Sequence, residues 1–305
     1  MKSENKKMLY DILNIISSVL NVDESEITDV CEMKKGMTNK SFLFSYREDR
    51  YIIRIPGEGT DNLINRFQEK QVYDVVSKIN ICDAPIYINQ ENGIKITRFL
   101  HNARVCDCTN QEDVKKCMKK LNELHNANLI VEHEFDIFRQ IEFYESLRKG
   151  IKSIYSDYEI TKSNVYSLKP FVEKNIGKKV LCHIDSVFDN FLFYMENGDE
   201  KLQLTDWEYA GMQDPDVDIA MFCIYAFFDK KQTDDLLGIY YSNGCNDAIR
   251  YKVYAYMAMC GLLWSNWCEY KSMFGVEFGK YKHIQYNYAK EFYQYSVEGI
   301  KSLEM

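Results

Sequence analysis

The chain has 305 residues, 46% hydrophobic and 28% charged, the balance of a globular protein with ample material for a buried core and room for about two lobes. A net charge of −8 at pH 7 argues against nucleic-acid binding, which needs basic patches, and suits a cationic small substrate. The longest uninterrupted apolar run, Ile219 to Phe228, is far short of the ~20 residues a membrane helix needs, so no membrane insertion is expected.

Along the first third, apolar residues at helical spacing predict a helix over Met8–Leu20. Asp11 and Asn14 interrupt that stretch, so it does not read as a signal peptide. Three strands follow, one ending near Lys34, then Ser41–Arg47 and Tyr51–Ile55, with Glu48-Asp49 turning between the last two. Between the first two lies Gly36-Met37-Thr38-Asn39-Lys40-Ser41, where a glycine and small polar side chains could approach phosphate oxygens. Leu63 to Ile79 reads as a helix with Ile64, Phe67, Val72, Val75 and Ile79 inward and Glu69 on it. Pro85–Asn89 and Gly93–Phe99 pair around Asn92-Gly93, and Arg98-Phe99-Leu100 leaves this region.

The rest reads as mostly helical. Predicted helices run over Val114–His125, Phe135–Arg148, Tyr166–Ile176, Val217–Phe228, Thr233–Tyr241, Asn246–Glu269 and Tyr286–Ile300. Ten cysteines are scattered without a C-x-x-C pair, and Cys106-Asp107-Cys108 alone is not a metal site. They read as the reduced thiols of a cytoplasmic protein. Trp264 and Trp267 are three residues apart and share one helical face.

The stretch from Val180 to Phe222 organises the chain. Leu192-Phe193-Tyr194 and Leu202-Gln203-Leu204 flank Asn197-Gly198, a strong hairpin signal that brings the loop of Asp185 and Asn190 toward Asp206. A carboxylate and an amide five residues apart, with a second carboxylate across a hairpin, is how kinases hold metal and activate a hydroxyl. Taken singly, each feature has a plainer meaning. Gly36–Ser41 is then a hairpin turn, Arg54 and Glu69 are solvated charges, and the two tryptophans are core.

His183-x-Asp185-x4-Asn190, followed by Thr205-Asp206-Trp207-Glu208-Tyr209-Ala210-Gly211 and Asp218-Ile219-Ala220, resembles the choline/ethanolamine kinases, the bacterial choline kinase branch above all. These lie within the aminoglycoside-phosphotransferase and protein-kinase-like superfamily. The resemblance implies a bilobal α+β kinase-like fold, with a nucleotide-binding lobe of small sheet and helix over 1–100. A mostly helical catalytic and substrate lobe would occupy 101–305. It implies ATP and Mg²⁺ as cofactors and phosphorylation of choline to phosphocholine. Asp185 would be the catalytic base, with Asn190 and Asp206 the metal ligands. Gly36, Thr38, Asn39, Ser41, Arg54 and its partner Glu69 would hold the nucleotide phosphates, and Arg98, Phe99 and Leu100 would face adenine. Glu208, Tyr209, Tyr225, Trp264, Trp267 and Tyr281 would surround the substrate, while His183 and Asp218 brace the loop. Gly261 stands where the family's first cage tryptophan would be, so Trp267 or Tyr281 is expected to replace that wall. Tyr225 stands where eukaryotic members carry an acid, which favours an aromatic box and hence choline. The alternatives are a kinase of another small alcohol (ethanolamine, an aminoglycoside, thiamine) or a catalytically silent nucleotide-binding protein.

Overall fold

The computed structural model describes residues 2–33, 39–57, 60 and 63–303, and it divides into two compact units. One comprises Met1–Arg104 with Phe193–Glu208, the other Val105–Leu192 with Tyr209–Met305. The mixed α+β architecture, with one small antiparallel sheet and one mostly helical unit, is that expected of the kinase-like fold.

The first unit opens with α1 (Lys2–Leu20) and a sheet of β1 (Ile27–Met33), β2 (Asn39–Tyr46), β3 (Asp49–Pro56), β4 (Tyr87–Ile88) and β5 (Lys95–Arg98), in the order β1-β2-β3-β5-β4. Alternation along β3 decides its two faces. Tyr51 and Ile53 join Ile12, Ile16, Phe42, Phe44 and Ile96 in the core, while Arg54 points to the opposite face. Ser41 on β2 and Lys95 on β5 sit directly across from Arg54, one on each side. The β2–β3 turn is Arg47-Glu48, one residue earlier than expected, because Tyr46 pairs with Asp49.

α2 (Arg66–Val76) is capped by Asn65, whose side chain accepts the Gln68 N–H at 3.2 Å. Its phase departs from the predicted one. Phe67 is 53% exposed and Ile79 39%, whereas Arg66, Glu69, Val72, Tyr73 and Val76 are buried. Two charged residues lie inward because each finds an opposite charge there, as described below.

The hairpin of strands Phe191–Glu196 and Asp199–Leu204 turns through Asn197 (φ 53°) and Gly198 (φ 87°), both left-handed as such a turn requires. Residues 193–208 group with the first unit, where Leu204 donates its N–H to Ile81 at 2.8 Å and Cys82 bridges Leu204.

In the second unit α9 (Asp247–Ser272) is buried from Lys252 to Lys271 and surrounded by other helices. They are α3 (Gln111–Asn126), α4 (Ile137–Leu147), α5 (Tyr158–Ser167), α6 (Lys169–Asn175), α7 (Asp216–Tyr225), α8 (Lys230–Tyr240) and α10 (Tyr281–Leu303). The single helix expected over Tyr166–Ile176 is two. α5 ends at Ser167, and Pro170, lacking an N–H, lies in the first turn of α6. The longest helices, α9 and α10, meet at Gly261. A Cβ there would lie 2.6 Å from the Gln285 carbonyl and 2.9 Å from the Ala289 nitrogen, so only glycine permits this approach.

Gly261→Ala therefore tests the packing. Alanine favours an isolated helix by ~1 kcal/mol, but wedging α10 away costs ~1–3 kcal/mol. We expect a net loss of stability in urea denaturation. A gain would show that α10 yields freely.

Candidate active site

In the second unit, the strand Val180–Cys182 pairs antiparallel with Gly211–Gln213 and delivers the loop His183–Asn190. At its base lies Asp218, fully buried at the start of α7. Its carboxylate accepts the N–H of His183 at 2.8 Å and of Ile184 at 2.6 Å, and His125 Nε2 lies 2.9 Å away. Ser186 Oγ donates to the Asp218 carbonyl at 2.6 Å. These bonds hold Ile184 at φ 67°, a left-handed conformation that costs a β-branched residue ~1–3 kcal/mol. His183 is fully buried, and its main chain makes the bond to Asp218.

That turn presents Asp185. The Tyr225 hydroxyl donates to its Oδ1 at 2.6 Å, and Asn190 Nδ2 donates to its carbonyl at 2.8 Å and to Oδ2 at 3.3 Å. With its nitrogen turned to Asp185, Asn190 has its amide oxygen as the atom of metal-ligand character. Burial and the charge of Asp185 push the Tyr225 phenol well above its usual range, so it acts as a donor.

The ring of Tyr225 lies 5.9 Å from Trp264, which meets Tyr209 at 5.5 Å and Trp267 at 5.8 Å, both nearly perpendicular. Trp264 is 3% exposed, and its Nε1 donates to Met221 Sδ at 3.0 Å, so its polar edge is satisfied within the protein. Trp267 continues to Phe278 at 5.2 Å and Phe278 to Tyr281 at 6.4 Å. Three sequence-predicted rings, Tyr209, Tyr225 and Trp267, thus each meet Trp264, and Tyr281 joins through Phe278. Phe278 was not singled out in the sequence. Its only signal is an aromatic three residues before Tyr281. Gly261 abuts α10, so no wall of this cluster arises from that position.

In the first unit Arg54 donates to both Asp206 and Glu208. Asn39, with its amide oxygen turned inward, accepts from Arg54 Nε and Nη2 at 3.1 Å. Asp206 has φ 67°, left-handed like Ile184. The expected Arg54–Glu69 pair is replaced by a relay. Arg66 bonds Glu69 at 2.9 Å and lies 3.5 Å from Glu208, while Lys95 lies 3.7 Å from Glu69 and 3.9 Å from Asp83. The reason is geometric, since Arg66 is one turn before Glu69 on the same face of α2. Glu208, assigned to substrate from the sequence, has its carboxylate engaged by Arg54 and Arg66. Burial and the charge of Asp206 push its pKa up to about 7, against the pull of the two guanidiniums. Lys95 and Arg66 escaped sequence reading, although strand alternation places Lys95 on the face of Arg54.

Of the other residues that the sequence assigns to the nucleotide, Ser41 lies across from Arg54. Phe99 donates its N–H to the Arg50 carbonyl at 2.9 Å, Arg98 makes an exposed ion pair with Asp49 at 3.7 Å, and Leu100 is half-buried. Gly36 and Thr38 lie outside the described residues.

A family model for choline/ethanolamine kinase matches residues 30–252. The chain belongs to the choline/ethanolamine kinase family. As a member it is an ATP-using phosphotransferase acting on an alcohol group. Protein LicA of Haemophilus influenzae is 28% identical over 268 residues, covering 80% of this chain and 94% of that protein. The choline kinase LicA from Streptococcus pneumoniae superposes with a TM-score of 0.77 at 29% identity, covering 97% of this chain and 99% of its own. LicA is also known in complex with AMP, at 28% identity and TM-score 0.77, covering 96% of this chain and 98% of its own. Spectinomycin phosphotransferase, at TM-score 0.57 and 14% identity over 95% of this chain and 98% of its own, shares the fold alone.

Because Glu208 is buried between two guanidiniums, removing one should be costly. Arg54→Met should destabilise by ~3–5 kcal/mol in urea denaturation, the scale of a broken buried pair. Adding Glu208→Gln should recover part of that loss. Strict additivity of the two changes would refute the pairing.

Proposed function

We propose that this chain transfers the γ-phosphoryl group of ATP to the hydroxyl of choline, giving phosphocholine and ADP. The observation that carries the choline assignment is the position of Tyr225. Its hydroxyl bonds Asp185 and its ring adjoins Trp264. One side chain thus links a carboxylate suited to a hydroxyl with an aromatic cluster suited to a quaternary ammonium. Choline carries those two groups two carbons apart.

In this reading Asp185 orients the hydroxyl and accepts its proton as the new P–O bond forms, while Tyr225 and Asn190 fix the carboxylate. Asn190 and Asp206 would hold Mg²⁺, and an amide and a carboxylate oxygen suit that hard ion. The bound ion would neutralise charge on the phosphates. Arg54, with its five donors, would bind phosphate oxygens beside Asn39, Ser41, Gly36 and Thr38. The Phe99 N–H is already used by Arg50, so adenine would meet other main-chain groups of Arg98–Leu100. The unit of residues 1–104 would then serve the nucleotide and the helical unit the alcohol. A cytoplasmic location would suit a reaction that consumes Mg·ATP. No described helix is long and apolar enough to cross a membrane.

ADP release measured across choline, ethanolamine and an aminoglycoside should give the highest kcat/KM for choline. Equal efficiency with ethanolamine would refute the aromatic box. Asp185→Asn should nearly abolish turnover while ATP still binds, and near wild-type turnover would remove it from the base role. Trp264→Leu should raise KM for choline roughly five- to thirty-fold, as loss of a ~1–2 kcal/mol cation–π contact predicts, and leave KM for ATP unchanged. Lower thermal stability with unchanged kinetics would reduce Trp264 to core.

A further inference from the structure

Arg54 cannot grip a phosphate with both prongs of its fork as it stands. It donates through Nη1 to Asp206, through Nη2 to Glu208, and through Nε and Nη2 to the Asn39 amide oxygen, which leaves one of the five N–H donors of a guanidinium. A bidentate hold on phosphate requires it to let go of a carboxylate. The two carboxylates differ in what release costs. The Asp206 side chain is 30% exposed and that of Glu208 9%, so water can answer the first charge and not the second. A buried carboxylate stripped of its cation is strongly destabilising.

Arg66 stands next in the series. Its Nη1 bonds Glu69 at 2.9 Å and lies 3.5 Å from Glu208, while its buried Nε and Nη2 have no hydrogen-bond partner among the described residues. Gly93, at φ 69°, makes room for this guanidinium, since a Cβ there would lie 2.5 Å from Arg66 Nε and 2.7 Å from its Cδ. Behind Arg66, Lys95 is 3.7 Å from Glu69, so Glu69 keeps a cation if Arg66 turns away. We propose that Arg66 is a positioning residue for nucleotide binding: when Arg54 turns to phosphate, Arg66 closes on Glu208 and Lys95 takes over Glu69. Each cation shifts by one carboxylate. Closing the 3.5 Å gap between Arg66 and Glu208 to an ordinary ~2.9 Å takes a movement of roughly half an ångström. Without Arg66, the charge left on Glu208 holds Arg54 back and opposes phosphate binding.

The exchange rests on the reading of this unit as the nucleotide site, and its readout is the Kd for Mg·ATP by calorimetry on the full chain, which needs no alcohol. Wild-type protein that binds no Mg·ATP would refute that reading and the exchange with it, whereas the variants test the exchange alone. Arg66→Met should weaken binding roughly ten- to a hundredfold, the scale of a hydrogen bond to a charged group. Glu208→Gln removes the charge that Arg66 has to cover. Arg66→Met combined with Glu208→Gln should therefore bind Mg·ATP within roughly twofold of Glu208→Gln alone, the margin of independent changes. Unchanged affinity in a folded Arg66→Met protein would reduce Arg66 to a structural ion pair and overturn the exchange. If Arg66→Met costs as much affinity on the Glu208→Gln background as on the wild type, Arg66 grips phosphate itself, and the exchange is overturned too. Should Arg66→Met fail to fold, Arg66→Lys carries the same comparison, since it keeps the charge and lacks the planar fork. Affinity should then fall by a smaller factor, and Glu208→Gln should again cancel the loss.

Discussion

A carboxylate shut away from water must be met by donors on every side, and Asp218 is the group on which the His183–Asn190 loop depends. Two main-chain N–H groups and His125 answer its charge. The same bonds impose the left-handed Ile184 that turns Asp185 outward. Hydrogen bonds to a charged acceptor contribute ~1.5–3 kcal/mol each, enough together to outweigh the local strain. Asp185 thus owes its position to a residue more than thirty places further along the chain.

The first unit meets the same constraint by alternation. Asp206, Arg54, Glu208, Arg66, Glu69 and Lys95 follow one another as minus, plus, minus, plus, minus, plus. No charge in the series is buried beside its own sign without an opposite one to offset it. Such an arrangement couples its members, so changing one alters the electrostatics of its neighbours. It also accounts for the phase of α2, where apolar periodicity alone would bury Phe67.

Much of this was legible beforehand. The hairpin was encoded by Asn197-Gly198, and the loop by the spacing of His183, Asp185 and Asn190. Most helices followed from their apolar period, and Tyr209, Tyr225, Trp264 and Trp267 do touch. What escaped depends on pairing between distant segments. Nothing local marks Arg66 or Lys95 as buried, because their burial is tolerable only beside Glu208, Glu69 and Asp83. Glu69 was assigned by analogy to Arg54, whereas nearer cations took its carboxylate. The division of Tyr166–Ile176 into two helices falls at Pro170, which lacks an N–H and sits in the first turn of α6.

The close seating of α9 on α10 at Gly261 carries an evolutionary consequence. α10 begins with Tyr281, which reaches the aromatic cluster through Phe278. A bulky ring at position 261 would displace the helix that supplies Tyr281, so an ancestor acquiring one would tend to forfeit the other. The two solutions are alternatives separated by a packing barrier. Any change in the walls of this aromatic cluster would therefore come through rings such as Tyr209, Tyr225 or Phe278 and not through residue 261.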